Sequence, residues 1–298
     1  MSRLPVGAVL SMDCAPAAEA ATGDAAWLPL TAARLGRPFL LTDSLGLPLL
    51  RRTVRAGEPF FVDRYGQDQP VSVKRYVAPF AAALPPHADH NRQAATPPTL
   101  SVSDSLFARA GVPLALPEPG LYTVRLAGEP SVMGLLVTGS EYPNLTTADA
   151  LIQPLIYLTT SAERKKLYGA PNPKRAVDEF WLTAAAGQQT LARQAIRTYY
   201  SRAAEANELF AAHKAGWMTD RGMLYMVLGA PDAVYRTAQE ERWVYRGVDN
   251  GSSTTYTFRP KPSTFAPEQY DLVRRPEYER LWYAAVEQWR KAMTTAAR

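Results

Sequence analysis

The 298-residue chain holds one cysteine, Cys14, and three histidines, His87, His90 and His213. A single thiol excludes an intramolecular disulfide and any cysteine-rich zinc or iron–sulfur centre. Three histidines leave little material for imidazole chemistry. No run approaches the roughly 18–20 uncharged apolar residues that a membrane-spanning helix needs. The common catalytic and nucleotide signatures are missing as well: there is no P-loop, no G-x-G-x-x-G, no G-x-S-x-G and no H-E-x-x-H. What the chain does have is 47% hydrophobic and 20% charged residues. That supports sizeable cores and, at this length, two domains rather than a disordered chain. The net charge of +5 comes from scattered basic residues, not from runs, so nucleic acid is not expected as a partner.

The N-terminal residues 1–26 read as a leader or tether. A lipoprotein signal places small residues just before its cysteine. Here Met12 and Asp13 precede Cys14, and the apolar run Leu4–Leu10 is short. Cys14 is therefore either a lipid-anchor cysteine or part of an Ala-rich, disordered leader, and both readings stay open at this point.

Most of the 25 prolines lie before residue 150, where they block helix interiors and punctuate strands. Short β-type runs fill that half: Arg37–Leu41, Leu47–Val54, Pro59–Asp63, Val71–Tyr76, Thr99–Val102, Gly120–Leu126 and Met133–Thr138. Their spacing predicts an Ig-like β-sandwich over residues 27–141. Ala81–Pro98 reads as a Pro/His/Ala loop with no period.

Residues 142–298 predict an α+β domain, with helices packed on a small antiparallel meander. Ser161 starts a short helix, and Pro173 opens another through Phe180 and Trp181. Gln188–Lys214 is the longest helix expected. Its stripe Ala192, Ile196, Tyr199, Ala203, Ala206, Phe210 follows one helical face, and Gly216 is its expected stop. Met223–Leu228 reads as a buried strand closed by the turn Gly229-Ala230-Pro231-Asp232. Ala233–Tyr235, Arg242–Arg246 and Thr254–Arg259 continue the meander, with Asp249–Ser252 as a hairpin connection. Pro276 opens a closing amphipathic helix with Leu281, Trp282, Val286 and Trp289.

Few residue clusters carry chemistry. His87-Ala88-Asp89-His90 lies in a Pro-rich loop with no further ligand nearby, so a solvated loop is the reading and no metal site is assigned. Ser201, His213 and Asp220 are triad types. Ser201 and His213 would stand about 18 Å apart on one helix, however, far beyond hydrogen-bond reach. Glu205 and Glu208 share a helix face and could act as a general acid/base pair, although solvation is the simpler reading. Asn207 between them is expected to turn toward the meander. The densest unusual stretch is Gly216-Trp217-Met218-Thr219-Asp220-Arg221-Gly222. Glycine at both ends suggests backbone angles that other residues avoid. Thr219 and Asp220 can cap N–H groups, and Asp220 can pair with Arg221 or a distant arginine. The stretch is either a helix-to-strand corner pinned by Trp217 and Asp220 or a recognition loop. The tryptophans of this half read first as core and second as a stacking surface.

The run His213 to Asp232, with Gly216-Trp217-Met218-Thr219-Asp220 at its centre, closely resembles the GWxTD-domain proteins. Tyr142-Pro143, Asp149–Leu155, Leu158-Thr159-Thr160, Ala176–Trp181, Tyr199-Tyr200, Ala206-Asn207, Trp243-Val244-Tyr245, Trp282-Tyr283 and Trp289-Arg290 fit the same pattern. The resemblance covers about 142–291, with weaker echoes in the β half near Arg75–Pro86 and Gly120-Leu121-Tyr122. It implies an exported protein, often lipid-anchored, with a β-sandwich before the GWxTD domain and no catalytic residues to carry over. A shorter stretch, Leu228-Gly229-Ala230-Pro231 followed by Trp243-Val244-Tyr245, is similar to the small lipoprotein of the β-barrel assembly machine, an adaptor.

The function expected is a non-enzymatic adaptor or scaffold in the periplasm or at the outer membrane, with an envelope protein as partner and no cofactor. Trp217, Thr219, Asp220, Arg221, Trp243 and Tyr245 are the expected binding residues. Gly216, Gly222, Gly229 and Pro231 are the expected structural ones. The alternative is glycan or peptidoglycan binding or hydrolysis through the aromatics and Glu205/Glu208.

Overall fold

The computed structural model describes residues 9–13, 25–29, 38–49, 51–77, 79–89, 100–246 and 253–293. Cys14, His90, Arg37 and the Asp249–Ser252 hairpin lie outside them, as does most of the expected leader. β1 (Val9–Asp13), inside that stretch, pairs antiparallel with β2 (Ala25–Pro29), which runs past its end.

The chain is α+β, with a sheet-rich N-terminal part. Eight strands follow one another there: β3 (Leu40–Thr42), β4 (Thr53–Arg55), β5 (Pro59–Asp63), β6 (Pro70–Val77), β7 (Ser101–Arg109), β8 (Pro113–Ala115), β9 (Gly120–Leu126) and β10 (Met133–Thr138). They form a five-stranded sheet, β4-β10-β9-β6-β7, and a three-stranded sheet, β3-β5-β8. All pairs are antiparallel except β4 with β10. Alternation sends Phe60 and Val62 of β5, and Val71 and Val73 of β6, into one shared core with Val124, Leu126 and Leu135.

Three of the expected strands, β5, β9 and β10, match residue for residue. Others do not. Leu47–Val54 keeps strand geometry only from Thr53 onward. β7 runs well past Val102 to Arg109, and β8 was not anticipated. The cause is shared. β7 is a sheet edge whose residues are mostly exposed, and β8 buries Leu114 alone. Neither therefore carries the apolar alternation that marks a half-buried strand.

Among the described residues the second half contains six α-helices: α1 (Ala148–Ile152), α2 (Ser161–Tyr168), α3 (Pro173–Ala184), α4 (Gln189–Phe210), α5 (Asp220–Leu228) and α6 (Glu279–Arg290). Thr160 and Glu163 form a reciprocal capping box at α2. Asn172 caps α3, with Pro173 in its first turn. On α4 the expected stripe turns inward: Ala192, Tyr199, Ala203 and Ala206 are buried, and Ile196 and Phe210 pack at the margin. The helix ends at Phe210, where Ala211 turns extended (ψ 136°), rather than running to a stop at Gly216.

The meander has four strands, β11 (Ala233–Arg236), β12 (Glu241–Arg246), β13 (Ser253–Pro260) and β14 (Tyr270–Leu272), in that order. Met223–Leu228 is not one of them. It lies inside α5, because a short apolar run buried on all sides has no period to separate helix from strand. Here the Thr219 cap decides for helix.

The buried residues fall into two clusters, one per half. The halves meet at two places. In the first, Phe265 lies edge-on to Tyr76 with ring centroids 5.0 Å apart. Its carbonyl sits over Gly134 so closely that a Cβ there would be 2.0 Å away, and Arg52 reaches Glu268 at 2.9 Å. In the second, residues 80–87, between β6 and β7, lie along the second domain.

Candidate functional site

The Gly216–Asp220 stretch is a corner between two helices, α4 and α5, not between a helix and a strand. Gly216–Met218 forms one 3-10 turn and Thr219 caps the helix that follows. The glycines serve close approach. A Cβ on Gly216 would lie 1.9 Å from the carbonyl oxygen of Ala206 in α4, and a Cβ on Gly222 would lie 1.9 Å from that of Gly216. Neither has a positive φ, which corrects the expectation of unusual backbone angles. Gly229 does, at φ +87°, where the chain leaves α5.

The side chains of Thr219 and Asn207 are used internally. Thr219 Oγ1 donates to Gly216 O at 2.7 Å and accepts from Gly222 N–H at 3.1 Å. Asn207 Oδ1 accepts from Trp217 N–H at 3.3 Å, and Asn207 Nδ2 donates to Pro143 O at 2.8 Å. Asn207 thus joins the corner to the segment before α1 and does not face the meander. Trp217 is 4% exposed, and its carbonyl accepts from Tyr157 Oη at 3.0 Å. Burial pushes the Tyr157 hydroxyl well above its ordinary pKa, with the charge on Asp220 adding to the effect.

Asp220 settles which arginine it pairs with. Arg274 Nη2 donates to its Oδ1 at 2.6 Å and Nη1 to its Oδ2 at 3.2 Å, a two-pronged pair in which both side chains are buried. The backbone N–H of Leu272 adds a third donor at 2.7 Å. Arg221 takes no part in this. Its guanidinium lies over the rings of Phe210 and Tyr270, 5.4 and 4.8 Å from their centroids, and 3.7 Å from Glu241. Buried Glu241 also accepts from Trp243 Nε1 and Arg236 Nε, each at 2.7 Å.

The far end of α5 is closed in the same manner. Arg202 Nη1 reaches the carbonyls of Met226 and Val227, Trp289 Nε1 donates to Val227 O, and Tyr245 Oη donates to Gly229 O. These donors satisfy carbonyls that a helix terminus leaves open. Pro231 lies in the connection from there to β11.

The expected binding residues are thus brought together as framework. Trp217, Thr219, Asp220 and Trp243 are buried, and Tyr245 and Arg221 are spent on internal contacts. Of their rings, only that of Tyr245 keeps partial exposure. Trp181, Trp282 and Trp289 are core as well. Glu205 and Glu208 are exposed and line an open depression of about 460 Å³ with Arg197 and Tyr200. Glu205 accepts the hydroxyl of Tyr225. Ser201 lies on exposed α4, His213 lies beyond the helix end, and Asp220 is held by Arg274, so no triad forms. His87 packs its ring on Tyr283 at 5.1 Å. Among the described residues no group of three or more metal-ligating side chains is placed to hold an ion, and no helix is long and apolar enough to cross a membrane.

Sequence reasoning missed Arg274, Tyr157 and Lys214 altogether. It also missed residues 80–87, whose main chain meets this corner. Ala83 N–H donates to Met218 O at 2.9 Å, Arg274 Nη2 to Leu84 O at 3.1 Å, and Lys214 Nζ to Ala81 O at 2.8 Å. Its signals were a lack of period and the weak echo of the family pattern near Arg75–Pro86.

His213 stands against Phe80, ring centroids 4.9 Å apart. Burial holds its pKa down at about 4, Lys214 lowers it further and Asp271 opposes. In the unfolded chain the imidazole protonates near pH 6.5, so as pH falls the unfolded state takes up the proton first. Stability from this source is full above about pH 6.5 and drains away down to about pH 4. In denaturant titrations, His213→Gln is expected to flatten the loss of midpoint across that window. An unchanged profile would remove His213 as its source.

A family model described as the GWxTD domain matches residues 120–291. The match takes in β9 and β10 as well as the whole helical half. No curated protein and no solved structure matches.

Proposed function

Since the chain belongs to the GWxTD-domain family, we propose that it is a non-catalytic adaptor or scaffold of the cell envelope, periplasmic or associated with the outer membrane, with an envelope protein as its partner. One observation carries the non-catalytic reading. The polar side chains of the signature corner are consumed by the fold: Asp220 by Arg274 and Leu272, Thr219 by Gly216 and Gly222, Asn207 by Pro143 and Trp217. All three side chains are buried as well as engaged, which keeps them from a substrate in solvent. The signature residues then act from behind the surface, by fixing its shape.

The N-terminal sheets belong, in this reading, to an Ig-like sandwich. Three features support the assignment. The strand order splits into a three-stranded and a five-stranded sheet around one core. The first strands divide between the two sheets, β3 joining β5 and β4 running parallel to β10. Tyr122 Oη, near the start of β9, donates back to Glu118 O at 2.8 Å, the geometry of a tyrosine corner.

The adaptor reading is tested by tagging the chain at its C-terminus in its host, crosslinking, and identifying what co-purifies from the envelope fraction. A stoichiometric envelope protein is the expected result. A monomer with no partner, or a chain found outside the envelope, would overturn it. The depression beside Glu205 and Glu208 favours a second reading, glycan binding or hydrolysis. Because both carboxylates are exposed, Glu205→Gln and Glu208→Gln should leave the fold intact. Turnover of cell-wall fragments that these substitutions abolish would establish that reading in place of the adaptor.

A further inference from the structure

We propose that the GWxTD corner builds a binding groove for an alanine- and proline-rich peptide, and that residues 80–87 of this chain occupy it in cis.

The groove reads main-chain atoms. The carbonyl of Ala81 accepts from Lys214 Nζ at 2.8 Å, and that of Leu84 from Arg274 Nη2 at 3.1 Å. The carbonyl of Pro86 accepts from the Arg275 N–H at 3.1 Å, and the Ala83 N–H donates to Met218 O at 2.9 Å. These partners come from three separate stretches of the domain: the residues before the corner, the corner itself, and the link from β14 to α6. Rings close both ends, Phe80 on His213 at 4.9 Å and His87 on Tyr283 at 5.1 Å. Between them Ala82 and Ala83 pack on the helical core, where a larger side chain would hold the main chain away from its donors. Pro85-Pro86 fixes two backbone φ angles in advance and leads into a turn closed by the Ala88 N–H on Pro85 O at 3.0 Å, which lowers the entropy lost on binding.

Two further observations separate a groove from ordinary packing. β6 and β7 are neighbours whose register closes at Val77 opposite Ser101. Such a hairpin needs a connection of only about two to five residues. The chain instead makes the excursion 78–100, which the sandwich itself does not require. The main donor is also set before the peptide arrives. Asp220 orients Arg274 through two bonds, and the Leu272 N–H fixes Asp220 in turn. The placing of Arg274 is therefore held by the domain and not by the occupant.

The test uses the full chain with residues 80–87 replaced by a Gly/Ser linker of equal length. The probe is a fluorescein-labelled peptide, Pro-Phe-Ala-Ala-Ala-Leu-Pro-Pro-His-Ala-Asp, corresponding to residues 79–89. Anisotropy should show saturable binding to the replaced chain. Binding to the wild type should be weaker by about tenfold or more, because its site is filled. The same peptide carrying Ala83→Pro, which lacks the N–H for Met218 O, should bind far less well than the parent peptide. A folded variant that fails to bind the peptide, or equal binding to variant and wild type, overturns the proposal. If the variant does not fold, amide exchange on the wild type decides. An Ala83 N–H protected well beyond the intrinsic exchange rate supports a filled groove, and one that exchanges as freely as an unstructured amide overturns it.

Discussion

Asp220→Ala is expected to cost about 3–5 kcal/mol of stability, the range for a buried ion pair that loses one partner. The size follows from what is left behind. Arg274 is 2% exposed at its side chain, and without the carboxylate its charge stays desolvated with only the Leu84 carbonyl to receive it. The Leu272 N–H loses its acceptor at the same time, and an orphaned buried donor adds its own penalty. On a chain of this size the change corresponds to a fall in Tm of about 6–20 °C. Arg274→Ala should destabilise by a similar amount from the opposite side, since Asp220 would keep only the Leu272 amide. The double variant should lose much less than the sum of the two, because no unpaired charge remains. Thermal and urea unfolding of the four chains measure this cycle. Additive losses would mean that the two groups act independently, and would refute the pair as the source of the cost.

Gly216→Ala is expected to cost about 3 kcal/mol, at the upper end of overpacking. A methyl group is small, but it would arrive 1.9 Å from the Ala206 carbonyl oxygen and 2.7 Å from the Cα of Asn207. Those atoms belong to the backbone of α4, so no side-chain rotation makes room, and the helix or the corner must move. Movement loosens Asn207, which holds Trp217 and Pro143 together. Gly222→Ala should behave alike, since its contact is again a backbone carbonyl. Gly139→Ala offers the control, because nothing lies within 4 Å of the position where its Cβ would stand. The measurement is the urea midpoint of each variant. A Gly216→Ala chain as stable as the Gly139→Ala chain would remove close approach as the reason for the glycine.

Both predictions rest on residues that the sequence had singled out, but for partly different reasons. Gly216 and Gly222 stood out as glycines flanking a tryptophan. Composition suggested unusual dihedral angles, whereas the answer is a helix backbone passing within van der Waals distance. Asp220 was visible as an acid able to meet a distant arginine. Trp217 was open between core and surface, and burial decided for core. The tryptophans of the helical half resolved the same way, and none of them lines the depression beside Glu205 and Glu208.

The sequence by itself determined what depends on neighbours along the chain. Alternation placed β5, β9 and β10, a 3.6-residue stripe placed α4, and Thr160, Asn172 and Pro173 marked where helices begin. The signature run was enough to name the family. Only the tertiary structure decided which arginine of many would meet Asp220, 54 residues away, and that a non-periodic Ala/Pro segment 190 residues from Arg274 would lie across the same corner. It also decided that Met223–Leu228 is helix. The reason is physical. Periodicity and capping are local and leave their record in spacing, whereas ion pairs, backbone docking and close approach depend on distances that folding alone creates.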